Sequence, residues 1–300
     1  MHIIEIPEGK IKRYIPSDLS ECDAQQYMDM CDLIFKYQNE VIDYDQFRTH
    51  AIYKLMKMKP ANGTVAVEEK FANVYQLSEL IDDFFDTDDK GLKIIKQSYI
   101  HNPVPSFRPL YSTYYGPADQ FRDMTFGEYR DGLRLFHDFH ATGNIHILAL
   151  LTAVFYRPKK SFHFFKKRSS SYDGNIRERY NANTLDQNVK GFKYAPIGFV
   201  YGFYLLFASF QKYIVDAKIL WGGQEIDFSI LFQSDKNQES SKSEVPGLGM
   251  DSIAFTMAES GAFGNIKEVD NTNFWEIFAR MYDLRRTDLE RIKHEAHATT

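Results

Sequence analysis

The stretch Thr125–Pro158, TFGEYRDGLRLFHDFHATGNIHILALLTAVFYRP, decides the fold class of this 300-residue chain. Thr125 and Glu128 have the spacing of a capping box, in which each side chain satisfies a backbone N–H at the first turn of a helix. Phe126, Tyr129, Leu133, Phe136 and His140 follow at intervals of three and four, the period of one helix face. The spacing predicts a helix over 126–140, broken at Thr142-Gly143. From Asn144 or Ile145 a second helix is apolar on nearly every side until Pro158 stops it. Such a helix belongs at the centre of a core.

Helical patterning extends outward from this pair. Toward the N-terminus, Tyr27, Met30, Ile34 and Tyr37 mark a helix over 23–39. Asp45 can cap another bearing Phe47, Ile52, Leu55 and Met56. Residues 68–85 read as a third, ending near a run of acidic residues that opposes the helix dipole. Ile3–Ile6 and Lys10–Tyr14, around Pro7-Glu8-Gly9, form a small hairpin. Toward the C-terminus, Pro196 can open a long helix reaching Leu220, ended by Gly222-Gly223. Its apolar run, 196–210, falls short of the roughly 20 residues of a membrane span. The segment SDKNQESSKSEVPGLG, 234–249, has no apolar periodicity and reads as a linker. Beyond it come a helix over 252–259, a turn at Gly261–Gly264, and a helix from Asn273 to about Ala296.

These elements predict a mainly α fold, a helical bundle built from helical hairpins, with a small N-terminal β-hairpin and a linker-tethered C-terminal helical hairpin. The expected divisions are 1–110, a central core 111–233, a linker 234–250 and a detachable module 251–300.

Composition narrows the function. Net charge is −5 and the isoelectric point near 6.0, which disfavours general nucleic-acid binding. Cys22 and Cys31 are too few and too badly spaced for a disulfide scaffold or zinc site, and they suit a reducing cytoplasm. The N-terminus lacks the pattern of a signal peptide. No Walker loop, GxGxxG or GxSxG is present, so nucleotide and hydrolase chemistry lose their usual supports. His137, His140 and His146 could together hold a metal, but the segment supplies only Asp138 as a carboxylate, on the wrong face. The expected cofactor is none, and the expected role is not enzymatic.

The 25 Phe and 19 Tyr remain to be placed, since each ring must find a partner surface. Many fall at helical spacing, over 126–157 and 196–220, and are expected in the core. The surplus concentrates at Phe162, Phe164 and Phe165, among Lys159, Lys160, Lys166, Lys167, Arg168, Arg177 and Arg179. It recurs at Phe274, Trp275, Phe278, Met281 and Tyr282. These eight aromatic and Met residues are the candidate partner-binding set.

The blocks MTFGEYRDGLRLFHDF and ALLTAVFYRPKK, with the ending FTMAESGAFGNIKEVDNTNFWEIFARMYDLRRTDLERIK, resemble proteins encoded beside the tape-measure gene in tailed phages and prophages of Bacteroidota. Tail assembly chaperones are commonly placed there. The resemblance implies a host-cytoplasmic protein that covers apolar helices of the tape-measure protein during tail assembly, with no membrane partner. Many such chaperones are shorter, which leaves a structural virion component, a tail-completion or connector protein, as the alternative. A metal-dependent enzyme on the three histidines is the alternative from another class.

Overall fold

Capping chemistry starts the helices, and the computed structural model describes residues 1–6, 11–58, 67–109, 112–169, 172, 174–216, 218–232 and 248–298. Strand β1 (His2–Ile6) pairs antiparallel with β2 (Ile11–Ile15). The turn expected at 7–9 lies outside the described residues. Helix α1 (Ala24–Gln38) opens on Asp23, boxed with Gln26. Helix α2 (Tyr44–Leu55) opens on Asp43 rather than Asp45, because Gln46 stands three residues after Asp43 and completes its box. Asp45 instead pairs with Arg48 at 2.7 Å. Helix α3 (Val67–Ser78) tightens into a 3-10 turn through Phe84. A short hairpin of β3 (Phe85–Thr87) and β4 (Lys93–Ile95) follows.

The stretch from His101 to Pro117, which holds four prolines, contains β5 (Ser106–Phe107) and β6 (Tyr114–Tyr115). Helix α4 (Phe126–Thr142) carries the expected box: the Thr125 N–H donates to Glu128 Oε2 at 2.6 Å, and the Glu128 N–H to Thr125 Oγ1. Gly143, at φ +65°, ends it in the left-handed region open to glycine. Helix α5 (Ile145–Phe155) runs into β7 (Arg157–Pro158), which pairs with β6. Two single-turn helices, α6 (His163–Lys166) and α7 (Leu185–Asn188), precede α8 (Ile197–Asp216).

Helix α8 stops earlier than the expected Leu220. Residues Lys218–Trp221 form β8, paired with β9 (Gln224–Asp227) across Gly222-Gly223. Both glycines have positive φ, +58° and +84°, the backbone of a tight turn matched to strand twist. They therefore reverse a hairpin instead of ending a helix. Helices α9 (Met250–Glu259), α10 (Ile266–Asn271) and α11 (Phe274–Ala298) complete the chain. Helix α10, boxed by Asn265 and Glu268, occupies a stretch between the two expected C-terminal helices. The expected linker falls mostly on 233–247, outside the described residues. No helix among the described residues is long and apolar enough to cross a membrane.

The chain divides into two units. The first holds Met1–Pro105 with Gly191–Ser209. Its core joins Tyr27, Met30, Cys31 and Ile34 of α1, Phe47 and Ile52 of α2, and Phe199, Phe203 and Leu206 of α8, all buried. Glycine lets α8 approach α1: a Cβ on Gly198 would lie 2.0 Å from the Met28 carbonyl oxygen, and one on Gly202 2.8 Å from Tyr27 Cε1. Tyr27 OH donates to the Gly202 carbonyl at 2.7 Å, so the close approach also satisfies a buried hydroxyl.

The second unit holds Ser106–Lys190 with Phe210–Thr300. Here α9, α10 and α11 close on α4 through the buried cluster Phe126, Ala254, Met257, Val269 and Ile277. Backbone bonds tie the same faces: Phe126 N–H to Thr272 O and Phe274 N–H to Met124 O, both 2.9 Å. The expectation of a detachable C-terminal module is thereby corrected. Its apolar stripe completes the core begun by α4, so 251–300 shares a unit with the central block.

Candidate functional site

The loop leaving β7 departs and returns at one place. Lys159 bridges Arg177 as an isolated antiparallel pair. The Lys160 N–H donates to Ile176 O at 3.0 Å and the Glu178 N–H to Pro158 O at 2.9 Å. Beneath this neck lies a buried ionic cluster. Arg177, fully buried, donates through Nη1 to Phe155 O at 2.7 Å and through Nη2 to Asp123 O at 3.0 Å. Its guanidinium also sits 3.1 Å from Asp123 Oδ1 and 3.2 Å from Glu128 Oε1. Arg157 approaches the same Glu128 oxygen at 2.5 Å and donates through Nε to Glu178 O at 2.7 Å.

Two carboxylates thus face two guanidiniums, and the cluster balances its charge inside the protein, as buried ions must. Burial alone would push the Glu128 carboxyl up. Arg157 and Arg177, with the Thr125 N–H, outweigh that and hold it below the usual glutamate value. Glu128 has two jobs: one oxygen caps α4 and the other anchors the neck.

Above the neck the loop presents rings to solvent. Phe162, Phe164 and Phe165 are 77%, 64% and 70% exposed. Phe162 precedes α6 at φ +57°, a backbone region that non-glycine residues seldom occupy. Phe164 and Phe165 meet edge to face at 5.7 Å, and the Arg168 guanidinium lies 4.6 Å above the Phe164 ring. Lys159, Lys167 and Arg168 are exposed. Three neighbouring phenylalanines open to water make an apolar patch of the kind associated with contact surfaces.

The second group of expected contact residues is placed otherwise. Phe274 and Phe278 are fully buried. Their rings stand 4.1 Å apart, and Tyr129 of α4 packs against them at 4.5 and 5.6 Å. Trp275, half-buried, stacks on Phe228, and Tyr282 meets Phe228 edge-on. Met281 packs against the Phe126 cluster. The assignment of Phe274 and Phe278 to partner contact is corrected: α4 and the turn at Phe228 cover that face of α11, and its rings are core.

His137, His140 and His146 are all exposed. Among the described residues no group of three or more His, Cys, Asp or Glu side chains is placed to hold a metal ion. Cys22 and Cys31 are buried free thiols, and burial pushes both thiols up, away from thiolate character.

Two clefts flank Arg130. One, of about 560 Å³, is lined by Arg130, Asp131, Arg179, Tyr180, Lys267 and Asp270. The other, of about 520 Å³, includes Arg134, His137, Leu248 and Asp251. The Arg130 guanidinium lies 3.2 Å from Asp251 and 3.0 Å from Asp270, so it fastens α9 and α10 to α4. Tyr180 OH donates to Asp131 Oδ2 at 2.6 Å. Arg134 pairs with Asp131 at 3.4 Å as well, and the ion pairs of Arg130 hold helices together.

No protein-family model, curated protein or solved structure matches the chain.

Proposed function

We propose that this chain is a non-enzymatic binding protein of phage tail morphogenesis, a chaperone that covers apolar helices of the tape-measure protein during tail assembly. One observation carries the reading: Phe162, Phe164 and Phe165 stand exposed on a loop whose neck is anchored by buried ions. A long helical chain with unpartnered apolar seams aggregates unless the seams are covered. Exposed rings on an anchored base give a preformed contact for such seams, since little of the loop's order has to be created on binding. The resemblance of MTFGEYRDGLRLFHDF and of the C-terminal block to tape-measure-adjacent proteins points the same way.

The test is co-expression with the tape-measure protein encoded alongside. The wild-type chain raises the soluble fraction of that protein, and Phe162→Ser/Phe164→Ser/Phe165→Ser loses the effect while remaining folded. Equal solubility with both chains would refute the reading. One alternative is a tail component that stays in the particle. Mass spectrometry of purified particles separates the two, because a chaperone is absent from them and a component is present at stoichiometric copy number.

A further inference from the structure

The loop that carries the exposed rings also carries charge of one sign. Lys159–Arg168, KKSFHFFKKR, holds five cationic side chains and no carboxylate, in a chain whose net charge is −5. Lys159, Lys167 and Arg168 make no ion pair among the described residues, whereas Lys36, Lys54, Lys57 and Lys93 each pair with an aspartate. A surface that combines bare phenylalanine with uncompensated cations selects a ligand that is apolar and anionic together.

We infer that this loop docks an acidic amphipathic helix, with the helix's apolar stripe on Phe162, Phe164 and Phe165 and its flanking carboxylates on Lys159, Lys167 and Arg168. The inference rests on the chaperone reading and names the chemistry of the segment bound. Charge complementarity carries it, and ring geometry chooses among anionic partners. The Arg168 guanidinium lies 4.6 Å over the Phe164 ring, so cation and apolar face are presented side by side. On a helix, residues three and four apart have Cβ atoms about 5–6 Å apart, which sets an acidic row beside an apolar stripe at matching distance. Insertion into a bilayer would need the cations held back at the headgroups behind the rings. Base stacking needs free ring faces, and Phe164 has one covered by Arg168 and an edge-to-face contact with Phe165.

The test uses the full chain and synthetic peptides about five turns long. One carries leucine at positions i, i+3, i+4 and i+7 with glutamate on the flanks, and its twin carries lysine in place of every glutamate. The acidic peptide binds at least tenfold more tightly than the basic one, and its affinity falls with added salt. Lys159→Glu/Lys167→Glu/Arg168→Glu reverses the preference and gains affinity for the basic peptide, a gain that misfolding could not produce. Equal affinity for both peptides overturns the inference, as does an unchanged preference in the reversed variant. Tighter binding of oligo-dT or of phosphatidylserine vesicles than of the acidic peptide overturns it as well. If the charge-reversed variant protects the tape-measure protein as well as wild type does, the acidic helix is wrong and the chaperone reading stands. If the peptides behave as described and the tape-measure protein gains no solubility, the chaperone reading fails and the docking chemistry stands.

Discussion

Replacing Glu128 with glutamine tests whether the buried cluster holds the second unit together. The amide keeps an oxygen able to accept the Thr125 N–H, so the cap on α4, worth about 1 kcal/mol, is preserved. What disappears is the negative charge 2.5 Å from Arg157 and 3.2 Å from Arg177. Two buried guanidiniums are then left with Asp123 as their remaining carboxylate, at 3.1 Å from Arg177. Breaking a buried ionic group on one side costs about 3–5 kcal/mol, because the stranded charge stays desolvated. The assay is urea unfolding followed by tryptophan fluorescence. Trp221 and Trp275 are the chain's two tryptophans, and both belong to the second unit, so the signal reports on that unit. With a denaturant slope of about 2 kcal/mol/M, the midpoint falls by about 1.5–2.5 M. A loss below about 1 kcal/mol for Glu128→Gln would refute the assignment of the cluster as the anchor.

Acid acts on the same group: its folded carboxyl sits below the usual value, so the stability it contributes is present above about pH 4.3. That stability is lost as pH falls through the lower folded value, and a pH series of the tryptophan-monitored midpoint should show an acid limb that is shallower in Glu128→Gln. In the first unit, Gly198→Ala drives a Cβ onto the Met28 carbonyl oxygen, 2.0 Å away. Because backbone cannot swing aside, the loss is at or above the upper end of the roughly 1–3 kcal/mol range for overpacking, read by calorimetry as a lowered first-unit transition. A chain ended at Phe232 loses Phe274 and Phe278, leaving Tyr129 without the rings that cover it. It should elute as aggregate on size exclusion, and a monomeric, cooperatively folded product would contradict the shared core.

Local signals were legible in the sequence where a short pattern determined the outcome. The Thr125–Glu128 box placed the start of α4 at Phe126, and the apolar run after Asn144 placed α5 in the core. The basic and aromatic surplus at Lys159–Arg168 was visible because charges and rings share ten residues. Long-range partners were hidden. Glu128 read only as a cap, since nothing local says that Arg157 and Arg177 return to it. Phe274 and Phe278 have the same spacing whether they meet a foreign helix or Tyr129, so periodicity could not assign their partner. Two misreadings had signals within reach. The Gly222-Gly223 pair stands between Ile219-Leu220-Trp221 and Ile226, a hairpin pattern as much as a helix stop. Asn265 and Glu268 have capping-box spacing and announced α10.

The division of α8 bears on the order in which the chain can fold as it is made. Its residues through Ser209 belong to the first unit and those from Phe210 onward to the second. A ribosome delivers Tyr27 and Cys31 early, but Gly202, which packs on them, emerges only after the whole of Ser106–Lys190. The first unit therefore waits half-made, its α1 face bare, while the segment interrupting it is synthesised. The second unit waits longer still, until α11 supplies the rings that complete its core. Neither unit is a contiguous stretch of chain, so no cut between domains releases either one whole. During synthesis the nascent protein has its own exposed apolar helices to shelter until α11 is made.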